Sequence, residues 1–202
     1  MLVVSPTVPR MVTRHTADEY VVVHTHCSHP FVGASRRYHY YSDIDHASLW
    51  RNARVLERSR DSLGFNVCLI DDGYMTAWGD WTSLKPGKFV DTGAGGGEGG
   101  GLRVLADEIR ARGMKPGVWL APFACDKGSR LARDHPEWII RNDFGRPANS
   151  ANCGKFFYGL DATHPAVRRH VFDTVHRAVH EWGFDVLKLD FLYASCLEGE
   201  FL

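Results

Sequence analysis

The stretch Val186-Leu187-Lys188-Leu189-Asp190-Phe191 decides the predicted fold of this chain. Its apolar residues indicate a short buried strand, and the strand delivers a lysine and an aspartate to its C-terminal end. Side chains two positions apart lie on the same side of a strand, so Lys188 and Asp190 are neighbours. They could form a structural ion pair. Because charges in so apolar a strand are costly, we interpret Asp190 as a functional residue.

The same order of elements, a helix, a glycine and then a strand, occurs three times. Apolar periodicity predicts helices between Ser48 and Gly64, between Leu102 and Gly113, and between Thr163 and Gly183. Thr163 is the predicted N-cap residue of the third helix. Strands are predicted to follow over residues 65–70, 116–122 and 184–190, with a further strand over residues 19–26 and another candidate over residues 38–41.

Helices that alternate with short buried strands predict an α/β fold with a parallel sheet. We favour a (β/α)8 TIM-barrel type over a doubly wound sheet, because carboxylates and tryptophans occur at several strand ends and no glycine-rich phosphate turn directly follows a strand. About four strands are predicted, so we expect the first half of a barrel. The glycine-rich run from Gly93 to Gly101 is interpreted as a flexible connection.

Composition excludes several classes of function. Lys+Arg and Asp+Glu both number 24, so no net charge favours nucleic acid or an anionic membrane. The five cysteines form no C-x-x-C pair, which favours reduced thiols and a cytoplasmic location. The first residues do not resemble a secretory signal, and no segment approaches the length of about 18 apolar residues that a membrane span needs. No metal or organic cofactor is implied.

Three sets of residues at strand ends form a group suited to a sugar. Asp71 and Asp72 follow one strand, Trp119 lies in the next, and Lys188 and Asp190 lie in the last. Carboxylates accept hydrogen bonds from hydroxyl groups, an indole face covers the C–H side of a pyranose, and a lysine binds a hydroxyl. An ionised Asp190 could attack the anomeric carbon. The alternatives are a turn at Asp71 and Asp72 and a core position for Trp119.

Several motifs, in one order, carry a family resemblance from about Gly33 to Leu202. They are Leu69-Ile70-Asp71-Asp72-Gly73-Tyr74, Gly79-Asp80-Trp81, Ala106-Asp107-Glu108-Ile109, Gly117-Val118-Trp119-Leu120-Ala121-Pro122-Phe123, His135-Pro136-Glu137-Trp138, Leu160-Asp161-Ala162-Thr163-His164-Pro165 and Lys188-Leu189-Asp190-Phe191-Leu192-Tyr193. The chain resembles the melibiase-type α-galactosidases, glycoside hydrolase family 36, and the related family 27.

The resemblance implies a TIM-barrel glycosidase that hydrolyses terminal α-galactosides with retention. Asp190 matches the nucleophile, and Lys188, Trp119, Asp71 and Asp72 match galactose-binding residues. Residues 1–32 are expected to be a lead-in, the remnant of an N-terminal region, and residues 33–202 a partial catalytic barrel. The family's acid/base lies on a later strand, so we expect little activity from these 202 residues alone. Residues 33–38 depart from the family pattern, because they lack both of its tryptophans.

Two other functions stay open at this level. In a metal-dependent amidohydrolase, His24 and His26 would bind the metal and Asp190 could be a further ligand. Alternatively, the chain is an inactive sugar-binding remnant. A half-barrel would expose sheet edges, which favours association into oligomers. The sequence does not separate galactose from N-acetylgalactosamine as the sugar, nor hydrolysis from transfer.

Overall fold

The computed structural model describes residues 20–23, 43–63, 66–89, 99–152 and 154–202. In chain order the elements are β1 (Tyr20–Val23), α1 (His46–Leu63), β2 (Val67–Ile70), α2 (Gly100–Ala111), β3 (Lys115–Leu120), β4 (Ala124–Cys125), α3 (Arg130–Asp134), a 3-10 turn (Pro136–Trp138), β5 (Asn149–Asn152), β6 (Lys155–Gly159), α4 (Pro165–His180), β7 (Val186–Leu189) and a second 3-10 turn (Leu192–Cys196). The predicted strand over residues 38–41 lies outside the described residues.

Four parallel strands form the main sheet, in the order β1-β7-β3-β2. Strand β2 pairs with β3, and β3 pairs with β7, so these strands lie side by side in the order in which they occur along the chain. Consecutive strands of a barrel are arranged in the same way. In contrast, β1 lies on the far side of β7 and not beside β2, which differs from the sequential order of an opening half-barrel. The α/β class with parallel strands is therefore confirmed, and β7 is an interior strand with a partner on each side.

The three predicted helices are present, and each packs an apolar stripe against the sheet. The buried residues that pack there are Leu49, Ala53 and Leu56 of α1, Leu102, Leu105, Ala106 and Ile109 of α2, and Ala178 of α4. Val167 of α4 is buried in a separate cluster with Leu131 and Leu160. Gly113 and Gly183 both have φ of 73°. Both of these predicted helix-ending glycines are therefore in the left-handed region, and Gly64, the third, lies outside the described residues.

The N-cap of α4 differs from the prediction. His164 and not Thr163 caps this helix, because the His164 Nδ1 atom accepts a hydrogen bond from the Ala166 backbone N–H at 3.1 Å. Thr163 is engaged elsewhere, since its hydroxyl group donates to Asp161 Oδ1 at 2.6 Å. The sequence favours threonine as a cap by residue type, but a turn centred on the nearby aspartate takes the threonine side chain.

The glycine-rich run is not entirely a flexible connection. Gly100 and Gly101 are buried in the first turn of α2, and Gly99 precedes them with φ of 81°. A Cβ atom on Gly99 would lie 2.5 Å from the indole nitrogen of Trp182. The prediction is thus wrong for residues 99–101, where glycine allows the backbone to approach a buried tryptophan. The preceding residues of the run lie outside the described part of the chain.

A second, antiparallel sheet was not predicted. Its order is β4-β6-β5, and β5 and β6 pair as a hairpin from Asn149↔Tyr158 to Asn152↔Lys155. The segment has no strict alternation of polar and apolar residues, so it carries no clear strand signal. The hairpin contributes Phe157, which is fully buried against Trp78, with ring centres 5.4 Å apart. Among the described helices, none combines the length and the apolar character needed to cross a bilayer.

Asp45 should stabilise the start of α1. Its Oδ1 atom accepts a hydrogen bond from the Ser48 N–H at 2.6 Å, and its own N–H donates to Ser48 Oγ at 3.2 Å. We expect Asp45→Ala to lower the free energy of unfolding by about 1 kcal/mol, the usual cost of a lost N-cap. Urea unfolding measures the change. Asp43→Ala is the matched control, and an equal loss in both variants would contradict the capping role.

His170 should make the stability depend on pH. Burial lowers its pKa below the ordinary value of 6.5. The unfolded chain therefore takes up a proton more readily than the folded one, and the free energy of unfolding should fall as the pH drops below 6.5. Thermal unfolding between pH 8 and about pH 5 tests this. The slope should become smaller in His170→Gln and stay unchanged in His180→Gln, a substitution at an exposed position of the same helix; equal slopes in all three proteins would contradict the prediction.

Candidate active site

Strand register places three of the predicted site residues in a row. Ile70 pairs with Val118, so Asp71 and Trp119, the next residues, are level with each other across β2 and β3. Trp119 in turn pairs with Lys188 of β7. Paired residues in neighbouring strands point to the same face of a sheet. The main sheet therefore brings together residues that are more than a hundred positions apart in the sequence.

Lys188 lies between two carboxylates. Its Nζ atom donates a hydrogen bond to Asp71 Oδ2 at 3.0 Å and lies 3.9 Å from Asp190 Oδ2. Asp71 is 7% exposed and Asp190 is 6% exposed. A single ammonium group thus partly neutralises two nearly buried carboxylates, which would otherwise repel each other. The predicted proximity of Lys188 and Asp190 is confirmed, and Asp71 is a further partner.

The Asp190 carboxylate is fixed by a hydrogen bond to each of its oxygens. The indole N–H of Trp119 donates to Oδ2 at 3.0 Å, and the backbone N–H of Phe191 donates to Oδ1 at 2.9 Å. The backbone N–H of Asp190 donates to the Leu120 carbonyl at 2.8 Å, which extends the pairing of β3 and β7 past the strand end. Two donors and a tethered backbone leave this carboxylate little rotational freedom.

The residue after Asp190 has an unusual backbone conformation. Phe191 has φ of 50° and ψ of 34°, in the left-handed region that non-glycine residues rarely adopt. A residue in such a conformation lowers the stability of the folded state by on the order of 1–3 kcal/mol, and residues of this kind are frequent at functional sites. Its ring is buried, 5.0 Å from the ring of Trp78 and 5.4 Å from that of Phe157. Aromatic packing holds the backbone in the turn that directs the Phe191 N–H at Asp190.

Asp72 points to a different partner. Its Oδ1 atom accepts a hydrogen bond from the indole N–H of Trp78 at 2.8 Å. Tyr74, which is also fully buried, donates its hydroxyl group to the Trp119 carbonyl at 3.1 Å. Burial, together with the charge of Asp72, raises the pKa of Tyr74 well above its ordinary value. Sequence reasoning missed Trp78 and Tyr74, and the only signal was their position just after the Asp71-Asp72 pair.

Trp119 does not offer a stacking surface. Its side chain is fully buried, with Trp78, Trp81 and Phe191 around it at ring-centre distances between 5.2 and 6.2 Å. The expected contact between its indole face and a pyranose therefore has no exposed surface in this structure. Its contribution to the site is the N–H donated to Asp190. Bulky neighbours from the loop after β2 cover the ring, in agreement with the core position that the sequence left open as the alternative.

Other candidates for chemistry are set apart from this site. Burial raises the pKa of the Cys68 and Cys125 thiols to about 12, so these thiols are poor nucleophiles. A cavity of about 360 Å³ lies between the loop at residues 79–82 and the helices α3 and α4, and Asp190 does not line it.

His24 and His26 of the amidohydrolase alternative lie outside the described residues. Within those residues, no group of three or more His, Cys, Asp or Glu side chains is arranged to hold a metal.

The family model named Melibiase matches residues 33–194, which is most of the chain. The chain belongs to the melibiase family. The resemblance found in the sequence motifs is thereby confirmed. The match spans β2, β3 and β7, and so includes Asp71, Trp119, Lys188 and Asp190.

Two bacterial proteins illustrate the similarity. The chain is 34% identical to the "A type blood alpha-D-galactosamine galactosaminidase" of Flavonifractor plautii over 138 residues, 65% of this chain and 12% of that protein. It is 30% identical to a bifunctional alpha-galactosidase/sucrose kinase of Mediterraneibacter gnavus over 142 residues, 67% of this chain and 14% of that protein.

A solved structure supports the same assignment. An alpha-galactosidase from Thermus thermophilus, in complex with p-nitrophenyl alpha-D-galactopyranoside, superimposes with a TM-score of 0.64 and 32% identity, over 92% of this chain and 33% of that one. The melibiase-family chain therefore spans 12 to 14% of the two curated relatives and a third of the Thermus protein.

Removal of the Lys188 ammonium group should destabilise the fold. Lys188→Met leaves Asp71 and Asp190 without the cation that lies between them, and loss of one partner from a buried ionic group costs about 3–5 kcal/mol. We expect a loss of that order in the free energy of unfolding, measured in urea at pH 7. The control is Lys88→Met, at a lysine whose ion pair with Asp43 lies at the surface. A loss no greater than that of the control would contradict the ionic role.

Proposed function

We propose that this melibiase-family chain carries the nucleophile half of a retaining glycosidase site for terminal α-galactosides, with Asp190 as the nucleophile. The observation that carries the proposal is the Asp190 carboxylate, which is held by Trp119 and Phe191 beside the Lys188 ammonium group. The relatives that the chain matches are named as α-galactosidases or as a galactosaminidase. A fixed, oriented carboxylate is what attack on an anomeric carbon requires.

The remaining site residues are proposed to bind the sugar. Lys188 and Asp71 form one hydrogen-bonded pair, and a vicinal pair of hydroxyl groups can bind to such a pair because one hydroxyl accepts while the other donates. Asp72, held by Trp78, would accept from a further hydroxyl group. Trp119 acts on Asp190 through its N–H and does not bind the sugar face.

The proposed reaction has two steps. In the first, an oxygen of the Asp190 carboxylate forms a bond to the anomeric carbon, and the bond from that carbon to the leaving oxygen breaks with its electron pair. In the second, water displaces Asp190 and restores the original configuration. A second carboxyl group must protonate the leaving oxygen and then activate the water. Asp71 and Asp72 are proposed to bind hydroxyl groups, so neither is the acid/base. By the family resemblance, the acid/base is a residue other than Asp71, Asp72 and Asp190.

Three finer points complete the proposal. The sheet β2-β3-β7 is proposed to correspond to consecutive strands of a TIM barrel, since the Thermus protein superimposes over nearly the whole chain. The preferred sugar is galactose, because most of the matching relatives are named for it. A cytoplasmic location fits the free thiols of Cys68, Cys125 and Cys196.

An activated substrate tests Asp190 without requiring the acid. The leaving group of 2,4-dinitrophenyl α-galactoside departs without protonation, so the first step needs only the nucleophile and the sugar-binding residues. We expect intact-mass spectrometry to show a gain of one hexosyl group, and peptide mapping to place that group on Asp190.

Two variants make the result decisive. Asp190→Asn should abolish labelling, because an amide is not a nucleophile here, and Asp173→Asn, at a carboxylate on α4 that pairs with Arg169, should label like the parent. Labelling that persists in Asp190→Asn would overturn the assignment of the nucleophile. Absence of labelling in the parent, together with absence of galactose binding by calorimetry, would overturn the proposed function.

A further inference from the structure

Trp78 is a fully buried side chain that links Asp72 to the antiparallel sheet. Its indole N–H donates to Asp72 Oδ1 at 2.8 Å, and its backbone N–H donates to Asp126 Oδ2 at 2.9 Å. Asp126 directly follows β4, a strand of the antiparallel sheet. One tryptophan therefore joins a residue of the proposed sugar site to a carboxylate on a different sheet.

Lys155 completes this connection from the hairpin. Its Nζ atom lies 4.1 Å from the centre of the Trp78 ring and 3.2 Å from Asp126 Oδ2. A cation over an indole face is attracted by the ring, and more strongly where water is excluded. The same Asp126 oxygen thus interacts with the Trp78 backbone and with the lysine that covers the Trp78 ring. Together, Lys155 and Asp126 hold the backbone and the ring plane of Trp78.

The orientation of the ring plane matters because an indole has one donor in a fixed direction. A rotation of the Trp78 side chain would move its N–H away from Asp72 Oδ1. Its other ring neighbours, at ring-centre distances between 5.0 and 5.4 Å, are the apolar rings of Trp119, Phe157 and Phe191. Those three contacts are between aromatic rings, whereas Lys155 supplies a charge over the Trp78 ring.

The charges of Asp72 and Lys155 both act on a third residue, Lys85. Burial lowers the pKa of Lys85, the negative charge of Asp72 opposes that shift, and the positive charge of Lys155 adds to it. Lys85 therefore senses both the carboxylate and the hairpin lysine. The contact from the hairpin to Asp72 runs through Trp78, whose ring Lys155 covers and whose indole N–H binds Asp72.

We propose that Lys155 and Asp126 are positioning residues that hold Trp78 and, through its indole N–H, orient the Asp72 carboxylate toward the sugar. The effect on the sugar rests on the proposed function, because Asp72 has a ligand only if this site binds one. The link from Lys155 to Asp72 does not depend on that function. The two parts can therefore be tested separately.

The first experiment observes the indole N–H itself. In protein labelled with 15N-tryptophan, the Trp78 signal is identified by its loss in Trp78→Phe. We expect Asp72→Asn, Lys155→Met and Asp126→Asn each to shift this signal, because each one changes the hydrogen bond or the ring position. Lys127→Met is the matched control, since Lys127 lies over the rings of Phe156 and Tyr158 instead. A Trp78 signal that responds equally to Lys155→Met and Lys127→Met would overturn the link.

The second experiment measures galactose affinity by calorimetry. Loss of one oriented hydrogen bond to a charged group predicts about tenfold weaker binding in Lys155→Met, unchanged binding in Lys127→Met, and near-parental binding in Lys155→Arg. In Asp72→Asn, the further change Lys155→Met should have little additional effect. Additive losses in the double variant would overturn the action through Asp72. A parent that binds no galactose and also gains no hexosyl label would instead refute the proposed function, and the indole signal would still test the link.

Thermal unfolding separates these effects from loss of folding. Lys155 is partly exposed, with 37% of its side chain accessible, so its substitution should leave the core intact. If Lys155→Met fails to fold, Lys155→Arg and Asp126→Asn carry the test. Asp126→Asn removes the charge that Lys155 pairs with and retains an oxygen for the Trp78 backbone. An unshifted Trp78 signal and unchanged affinity in Asp126→Asn would overturn the proposal.

Discussion

The Lys188 ammonium group, placed between the Asp71 and Asp190 carboxylates, is the interaction on which the rest of this site depends. Two carboxylates that are each less than a tenth exposed would repel each other and lose hydration, so they need a cation close to both. Removal of one member of such an ionic group lowers the free energy of unfolding strongly, whereas replacement of all its members by apolar residues often leaves the stability unchanged. Its presence in an apolar strand is therefore better explained by chemistry than by stability.

This ionic group exists only because the sheet sets three strands in register. Asp71 is level with Trp119, and Trp119 is level with Lys188, so side chains from β2, β3 and β7 point to one face. A shift of one residue in any of these strands would turn its side chain to the opposite face. The buried stripes of α1, α2 and α4 stabilise that register, because they cover the sheet in one arrangement. The geometry of the site therefore depends on the packing of the core.

Around the carboxylates, aromatic side chains act as hydrogen-bond donors more than as surfaces. Trp119 donates to Asp190 and Trp78 donates to Asp72, while both rings are fully buried. Phe191 adds a backbone donor, in a left-handed conformation that aromatic packing maintains. Rigid donors of this kind lose little conformational freedom when a ligand binds. Membership of the melibiase family and this geometry support the proposed roles, in which Trp119, Trp78 and Phe191 orient the carboxylates.

Local sequence patterns are sufficient to predict the alternation of helices and strands, the family, and the identity of the charged residues at the strand ends. These features depend on local periodicity and on short motifs, and both are written in consecutive residues. Local sequence patterns do not predict the N-cap of α4 or the antiparallel sheet, they leave the burial of Trp119 as one of two alternatives, and they give no sign of the links from Lys155 and Asp126 to Trp78. Those depend on which segments meet in space, as Lys188 and Asp71 do across 117 positions. Only the tertiary structure decides such contacts, because the order and register of strands bring distant side chains together.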